Sequence, residues 1–168
     1  MFEDSAIATM IAKLGVCIPY HVQLFFKEVY DGCVLQRTTL VTQAFVEQIY
    51  TTKMLGSPGK AALSHLEERL QQVLGLDCYP LVLDLLTETA VTGSLTSTAI
   101  QILCQEHATT HSIDRPQDLA RDILSVLQHD GYLQPQDGAF VFVSNLIRDW
   151  WQAQHGFYFV PAAQRRQG

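Results

Sequence analysis

Apolar residues recur at helical spacing along most of the chain, and glycine or proline interrupts this pattern at intervals. After Pro19, the residues Val22, Phe25 and Val29 lie three or four positions apart, which predicts an amphipathic helix that ends near Gly32. The same spacing predicts further helices over about 5–13, 38–55, 58–74, 79–91, 96–107, 116–129 and 145–154. The chain is therefore expected to be mostly α-helical.

A different pattern lies before the last predicted helix. Residues 132–133 and 139–143 are apolar or aromatic, and the polar stretch between them contains Asp137-Gly138, a strong signal for a tight turn. This pattern predicts a β-hairpin. Residues 108–114 are polar and are predicted to form a loop.

The breaks in the pattern also predict how the chain is organised. Four predicted helices end at Gly75, which indicates a small helical bundle over residues 1–76. The order that follows, three helices and then a hairpin, is typical of a winged helix, the helix-turn-helix variant with a β wing. The sequence thus predicts a winged-helix domain over residues 77–157 and a tail over residues 158–168.

Composition and charge narrow the classes of function. The 168 residues are 48% hydrophobic and carry a net charge of −6, which favours a folded protein and argues against a general binder of nucleic acid. The four cysteines are scattered and form no CxxC pair, as expected in a reducing cytoplasm. The sequence shows neither a leader peptide nor an apolar run of about 18 residues, so we expect a cytoplasmic protein without a membrane span.

The loop before the fourth helix superficially resembles a phosphate-binding loop. It ends in Gly59-Lys60, but Met54 and Ala61 stand where that motif requires a glycine and a hydroxyl residue. The missing hydroxyl would have held magnesium. A turn followed by a helix start explains the loop without a nucleotide.

Histidine and cysteine are spaced in ways that could suit a metal. Cys104, His107 and His111 lie three and four residues apart, but zinc needs a further ligand that the sequence does not supply. His129 and Asp130 also resemble a metal-binding pair, but they lie at the end of a predicted helix, where they are expected to cap it. We therefore expect no metal site. Because no catalytic set of residues can be singled out, we also expect no enzymatic activity of the chain on its own.

The helix over residues 116–129 would be the recognition helix of the winged helix. Gln117 and Arg121 on this helix, together with Arg148, are the candidate DNA contacts. Residues 94–150 contain seven acidic and three basic side chains, a net charge of −4 that would repel phosphates. A protein-contacting or structural role is therefore favoured over DNA binding.

Aromatic residues concentrate near the C-terminal end. Trp150 and Trp151 are adjacent, so on a helix their side chains point about 100° apart. Either one ring lies in the core while Trp151, with Arg148, contacts another domain or a partner, or both rings pack at the same domain junction. Residues 157–161 (FYFVP) are expected to add a strand or to pack on a partner.

Two motifs resemble segments of a known protein family. Residues 14–26 (LGVCIPYHVQLFF) are similar to the G-x-P-Y-x-x-Q-L segment that opens the helical lid of prokaryotic AAA- and STAND-like ATPases, a mostly archaeal and also bacterial group. Residues 127–133 (LQHDGYL) and 140–151 (FVFVSNLIRDWW) resemble the end of the same proteins, where the wing precedes F-x-F-x-S-x-L-I/L-R-D-W/Y-W. The resemblance spans about residues 5–156.

This resemblance implies a function that depends on another domain. The sequence contains no nucleotide-binding core, so ATP or ADP would be held only by an upstream ATPase domain, in cis or in trans. Pro19, Tyr20 and Gln23 would then face the nucleotide, although three residues rather than one separate Gly15 from Pro19. The chain is thus expected to be a non-catalytic regulatory or interaction module whose lid and winged helix couple nucleotide state to a protein partner. The alternative is a free-standing winged-helix regulator that binds DNA.

Overall fold

Helices dominate the computed structural model, which describes residues 1–111 and 115–165, and they confirm the prediction of a mostly α-helical chain. The helices are α1 (Asp4–Leu14), α2 (Pro19–Gln36), α3 (Gln43–Ile49), a π-helical turn (Tyr50–Met54), α4 (Ser57–Leu74), α5 (Tyr79–Thr92), α6 (Ser97–His111), α7 (Pro116–His129), α8 (Asn145–His155) and α9 (Ala162–Arg165). The strands β1 (Leu133–Gln136) and β2 (Ala139–Phe142) form a small antiparallel sheet. None of the described helices has the length and apolarity needed to cross a bilayer.

The chain divides into two compact units. The first unit contains Met1–Ser64 and Ser144–Leu146, and the second contains His65–Val143 and Ile147–Gly168. This division falls inside α4, whereas the sequence places a boundary after residue 76. The predicted tail is grouped with the second unit rather than separated from it.

In the first unit, a glycine lies inside α2 instead of ending it. A Cβ atom at Gly32 would lie 2.6 Å from Cδ1 of Ile49, so the missing side chain lets α2 and α3 pack closely. The helix continues to Gln36 and stops at Arg37, which has a left-handed φ of 52°. The predicted end near Gly32 is therefore wrong. This glycine allows α2 and α3 to pack closely, and it does not end the helix.

The third helix starts later than predicted. Residues near position 41 are extended, since the Val41 N–H donates to the Met1 carbonyl at 2.9 Å and the Glu3 N–H donates to the Val41 carbonyl at 3.1 Å. The helix begins only at Gln43, where Oγ1 of Thr42 accepts the N–H of Phe45 at 3.2 Å. The predicted start near residue 38 is wrong because backbone pairing with the N-terminal residues occupies this segment.

Helix α5 is the central element of the second unit. Leu81 and Val82 are buried, and the residues from Leu85 to Ala90 are buried without a break. This run includes Thr87, Glu88 and Thr89, which the apolar pattern did not identify. Their polar groups are paired: Thr89 donates to the carbonyl of Leu85 at 2.7 Å, and Glu88 accepts the N–H of Ala162 at 2.9 Å. Burial on every side is what a helix at the middle of a core shows.

The predicted hairpin is confirmed in the second unit. Leu133 pairs with Phe142 and Gln136 with Ala139, so the turn consists of Asp137 and Gly138. Both turn residues have positive φ values, 51° and 78°, as a two-residue hairpin turn requires. The loop predicted over residues 108–114 is partly wrong, since α6 continues to His111; residues 112–114 lie outside the described part.

Candidate functional site

An open cleft of about 380 Å3 lies between α6, α7 and β2 in the second unit. Ile100, Leu124 and Phe140 supply apolar lining, and α7 turns its polar residues toward the same space. The polar lining consists of Gln101, Gln117, Arg121, Ser125 and Gln128. Two of the three candidate DNA contacts, Gln117 and Arg121, therefore meet at one cleft. The amide groups and the guanidinium can donate hydrogen bonds to a ligand that also covers the apolar floor.

Arg121 is the one charged residue among the described ones that line this cleft, but the unit around it is acidic. Arg121 lies 3.4 Å from the carboxylate of Asp118, and both side chains are largely exposed, so this ion pair is weak. The second unit contains twelve Asp or Glu and six Lys or Arg residues, a net charge of −6, whereas the first unit contains five of each. The whole net charge of the chain is thus concentrated in the unit that carries α7. Such a surface disfavours phosphates and favours neutral or basic partners.

The two candidates for a partner contact on α8 have different surroundings. Arg148 is half-buried and pairs with its neighbour Asp149, with Nη2 2.8 Å from Oδ1. Trp151 is fully buried, and its Nε1–H donates to Oγ1 of Thr87 at 3.1 Å. Trp150 is fully buried as well, with the two indole centroids 5.9 Å apart. Trp151 is therefore a core residue and offers no exposed ring surface to a partner.

The candidates for the nucleotide-facing surface lie together at the start of α2 in the first unit. Pro19 is the first residue of the helix, and Pro19, Tyr20 and Gln23 are all exposed. The ring of Tyr20 lies 5.9 Å from that of the buried His21. The geometry therefore provides an exposed face with one phenol and one amide.

The residues considered for metal binding have other roles where they are described. Cys104 is buried, and burial raises the pKa of its thiol, which disfavours the thiolate that a metal would need. Nε2 of His107 lies 2.9 Å from Oδ2 of Asp84. The side chain of His111 lies outside the described part. Within residues 1–111 and 115–165, no three His, Cys, Asp or Glu side chains cluster as a metal site would require.

A charged network in the second unit was not identified from the sequence. Nη1 of Arg165 lies 2.5 Å from Oε2 of Glu106 and 3.5 Å from Oδ2 of Asp84, and the guanidinium stacks over the ring of Phe159. These contacts hold the segment after α8 against α5 and α6. The partners are 59 and 81 residues apart in the chain, so no local pattern reveals them.

His129 and Asp130, weighed above as a metal pair or a helix end, form part of an ion-pair group. Nδ1 of His129 lies 3.1 Å from Oδ1 of Asp130, and Nη2 of Arg69 lies 3.2 Å from Oδ2. The hydrogen bond from His129 is the main cause that lowers the pKa of Asp130; burial opposes it, and the charge of Arg69 adds to it. Burial also raises the pKa of nearby Tyr132 to about 12. The carboxylate therefore stays ionised and ties the end of α7 to α4.

Asp130→Asn is expected to lower the free energy of unfolding at neutral pH by about 0.5–1 kcal/mol, because Arg69 loses its charged partner. Since folding depresses the pKa of Asp130, its contribution is complete above the unfolded pKa and is lost as the pH falls through the folded pKa. Urea unfolding between about pH 7 and pH 2 should show the difference between the variant and the wild type shrinking toward the acidic end. Asp122→Asn on the exposed face of α7 is the matched control and should stay within about 0.5 kcal/mol of wild type. A difference that persists at the acidic end would contradict the electrostatic origin.

Comparison of this chain with family models, with curated proteins and with solved structures finds no match.

Proposed function

We propose that the chain is a non-catalytic regulatory or interaction module of an AAA- or STAND-like ATPase, and that its second unit is a winged helix that contacts a protein. The observation that carries the proposal is the combination, in one unit, of a helix-helix-helix-hairpin order with an acidic surface. Each part of the proposal has its own support.

The winged-helix interpretation rests on a short backbone pairing beside the hairpin. The Leu95 N–H donates to the Phe140 carbonyl at 2.8 Å, and the Phe140 N–H donates back to the Leu95 carbonyl at 3.0 Å. The connection between α5 and α6 therefore forms an isolated antiparallel bridge with β2, at the place where a winged helix has a third short strand. In this interpretation α6 and α7 form the helix-turn-helix, α7 is the recognition helix, and β1 and β2 form the wing.

A protein partner is favoured because the exposed face of α7 is poorly suited to DNA. Asp118 and Asp122 flank Arg121 on that face, and the unit as a whole carries a net charge of −6. Protein–DNA affinity depends mainly on neutralising phosphates with Lys and Arg, which are scarce here. The cleft with an apolar floor and an amide rim suits a polypeptide better.

The link to an ATPase rests on the sequence resemblance, and the exposed start of α2 is compatible with it. A lid that closes over ATP or ADP needs exposed side chains on the surface that faces the nucleotide. Pro19, Tyr20 and Gln23 meet this condition. The nucleotide would be held by an ATPase domain in cis or in trans, and its state would shift the lid between two positions with different contacts.

The test is site-specific photo-crosslinking in cells of the source organism. A photoreactive phenylalanine replaces Tyr20 in one variant and Ser125, at the α7 cleft, in another. We expect the first variant to crosslink to a polypeptide region with a nucleotide-binding core, and the yield to change when cellular ATP is depleted. We expect the second to crosslink to protein. The same probe at exposed Thr51, remote in sequence from both positions, is the control. Crosslinks from position 20 that never include an ATPase would overturn the ATPase part of the proposal.

The DNA-binding alternative predicts a different result. Gln117 and Arg121 are exposed on α7, so a regulator that reads DNA would use them. Fluorescence anisotropy with genomic DNA fragments at about 50 and 200 mM salt separates the two functions. We expect no sequence-preferring binding and no effect of Arg121→Ala. Binding that prefers a sequence, weakens steeply with salt and is lost in Arg121→Ala would replace the protein-contacting role with the DNA-binding one.

A further inference from the structure

Two adjacent aromatic side chains project from the turn after α8 in the second unit. Phe157 is 86% exposed and Tyr158 is 90% exposed, which is more than any other aromatic residue in the described part of the chain. Their ring centroids lie 4.7 Å apart with the planes nearly perpendicular. Large exposed rings of this kind are the residues that most often dominate the energy of a protein interface.

The turn that displays these rings is anchored on both sides. Before it, Nε2 of His155 lies 3.0 Å from Oε1 of Glu67, and the His155 ring lies 5.0 Å from that of Trp151. After it, the Ala162 N–H is bound by buried Glu88 at 2.9 Å. The two exposed rings therefore lie between positions 155 and 162, which both contact other helices of the second unit.

Beside the rings lies a cleft of about 280 Å3. The lining is contributed by α5, by the end of α8 and by the turn, and consists of Leu83, Asp84, Thr87, Gln154, His155, Phe157, Tyr158 and Phe159. Aromatic faces and a carboxylate thus border the same space. The π faces carry negative potential that attracts a cation. Two carboxylates, Asp84 and Glu106, share the single guanidinium of Arg165, so the charges beside the cleft remain in acidic excess.

A side chain of the chain itself already uses this chemistry. The guanidinium of Arg165 lies 4.8 Å from the ring centroid of Phe159 and 3.5 Å from Oδ2 of Asp84. Arg165 is therefore an internal example of a basic side chain bound between an aromatic face and a carboxylate. Phe157 and Tyr158 line the same cleft as Phe159, and both are exposed.

We propose that Phe157, Tyr158 and the cleft beside them form a docking site for a basic segment of a partner protein, whose Lys or Arg side chains stack on the two rings near Asp84. The proposal does not depend on the association with an ATPase. The charge of the second unit decides between possible occupants. A nucleic acid or a second copy of this chain would bring further negative charge to a unit of net charge −6, whereas a basic segment would neutralise it.

The test uses the full chain and a fluorescein-labelled peptide of five Gly-Arg repeats, with a peptide of Gly-Glu repeats as the charge control. We expect the Gly-Arg peptide to bind and to shift the amide resonances of residues 83–87 and 154–159. The double variant Phe157→Ala/Tyr158→Ala, which leaves every charge in place, should weaken this binding about tenfold. Tyr30→Ala removes a 62% exposed aromatic ring from the first unit and should change nothing.

Several results would count against the proposal. Absence of binding would overturn it, and equal binding by the double variant would show only attraction to an acidic protein. Binding of single-stranded DNA or of the Gly-Glu peptide that depends on the two rings would assign the surface to another ligand. Concentration-dependent dimerisation that the double variant abolishes would assign it to a second copy. An unchanged thermal melt of the variant, expected because both rings are exposed, ensures that lost binding reflects the surface and not the fold.

Discussion

Replacing Trp151 with alanine is expected to lower the free energy of unfolding by about 3–5 kcal/mol, the usual cost of removing a large buried aromatic side chain. The indole is fully buried and packs against the ring of His155, with 5.0 Å between centroids. Its Nε1–H donates to Thr87 inside α5, the central helix of the second unit. The substitution therefore leaves a cavity beside the most buried helix of that unit and removes a buried hydrogen bond.

Urea unfolding followed by far-ultraviolet circular dichroism measures this loss. Trp151→Phe keeps much of the ring volume but removes the donor to Thr87, so it should cost less than the alanine substitution and should remain folded. Tyr158→Ala removes an exposed ring and should stay within about 0.5 kcal/mol of wild type. If Trp151→Ala were as stable as Tyr158→Ala, the ring would not be a core residue, and the interpretation of Trp151 as a partner contact would return.

The elements that could be predicted are those decided by nearby residues. The helices and the hairpin follow from spacing, and the positive φ values of Asp137 and Gly138 follow from the residue types of the turn. The sequence left open whether Trp151 contacts a partner or packs inside, because its hydrogen-bond partner Thr87 lies 64 residues away. The polar residues buried in α5 were missed for the same reason: their environment is set by α8 and α9, not by their own neighbours.

The candidate sites show the same limit. Helical periodicity alone places Gln117 and Arg121 on one exposed face of α7. Periodicity does not show that Ile100 and Phe140 complete a cleft beside them, because these residues come from α6 and β2. The sequence showed the docking surface only as an aromatic segment. The carboxylate beside it belongs to Asp84, more than seventy positions earlier in the chain, so the sequence did not indicate a site for a basic segment.

Gly59→Ala is expected to destabilise the protein by about 3 kcal/mol, the upper end of the cost of overpacking. A Cβ atom at Gly59 would collide with the carbonyl oxygen of Met54, at the end of the π-helical turn that precedes α4. The obstacle is backbone and not the tip of a flexible side chain, so it cannot move aside without shifting the helix start. The glycine is therefore explained by close packing of the chain on itself, without any phosphate.

Lys60→Ala separates this explanation from a phosphate-binding loop. Lys60 is exposed next to Gly59, and a nucleotide site would depend on it. We expect Lys60→Ala to unfold at the same urea concentration as wild type, while Gly59→Ala unfolds at a markedly lower one. We also expect a fluorescent ATP analogue to show no binding that Lys60→Ala abolishes. The opposite pattern, a stable Gly59→Ala variant and nucleotide binding that requires Lys60, would mean that these residues hold a phosphate after all.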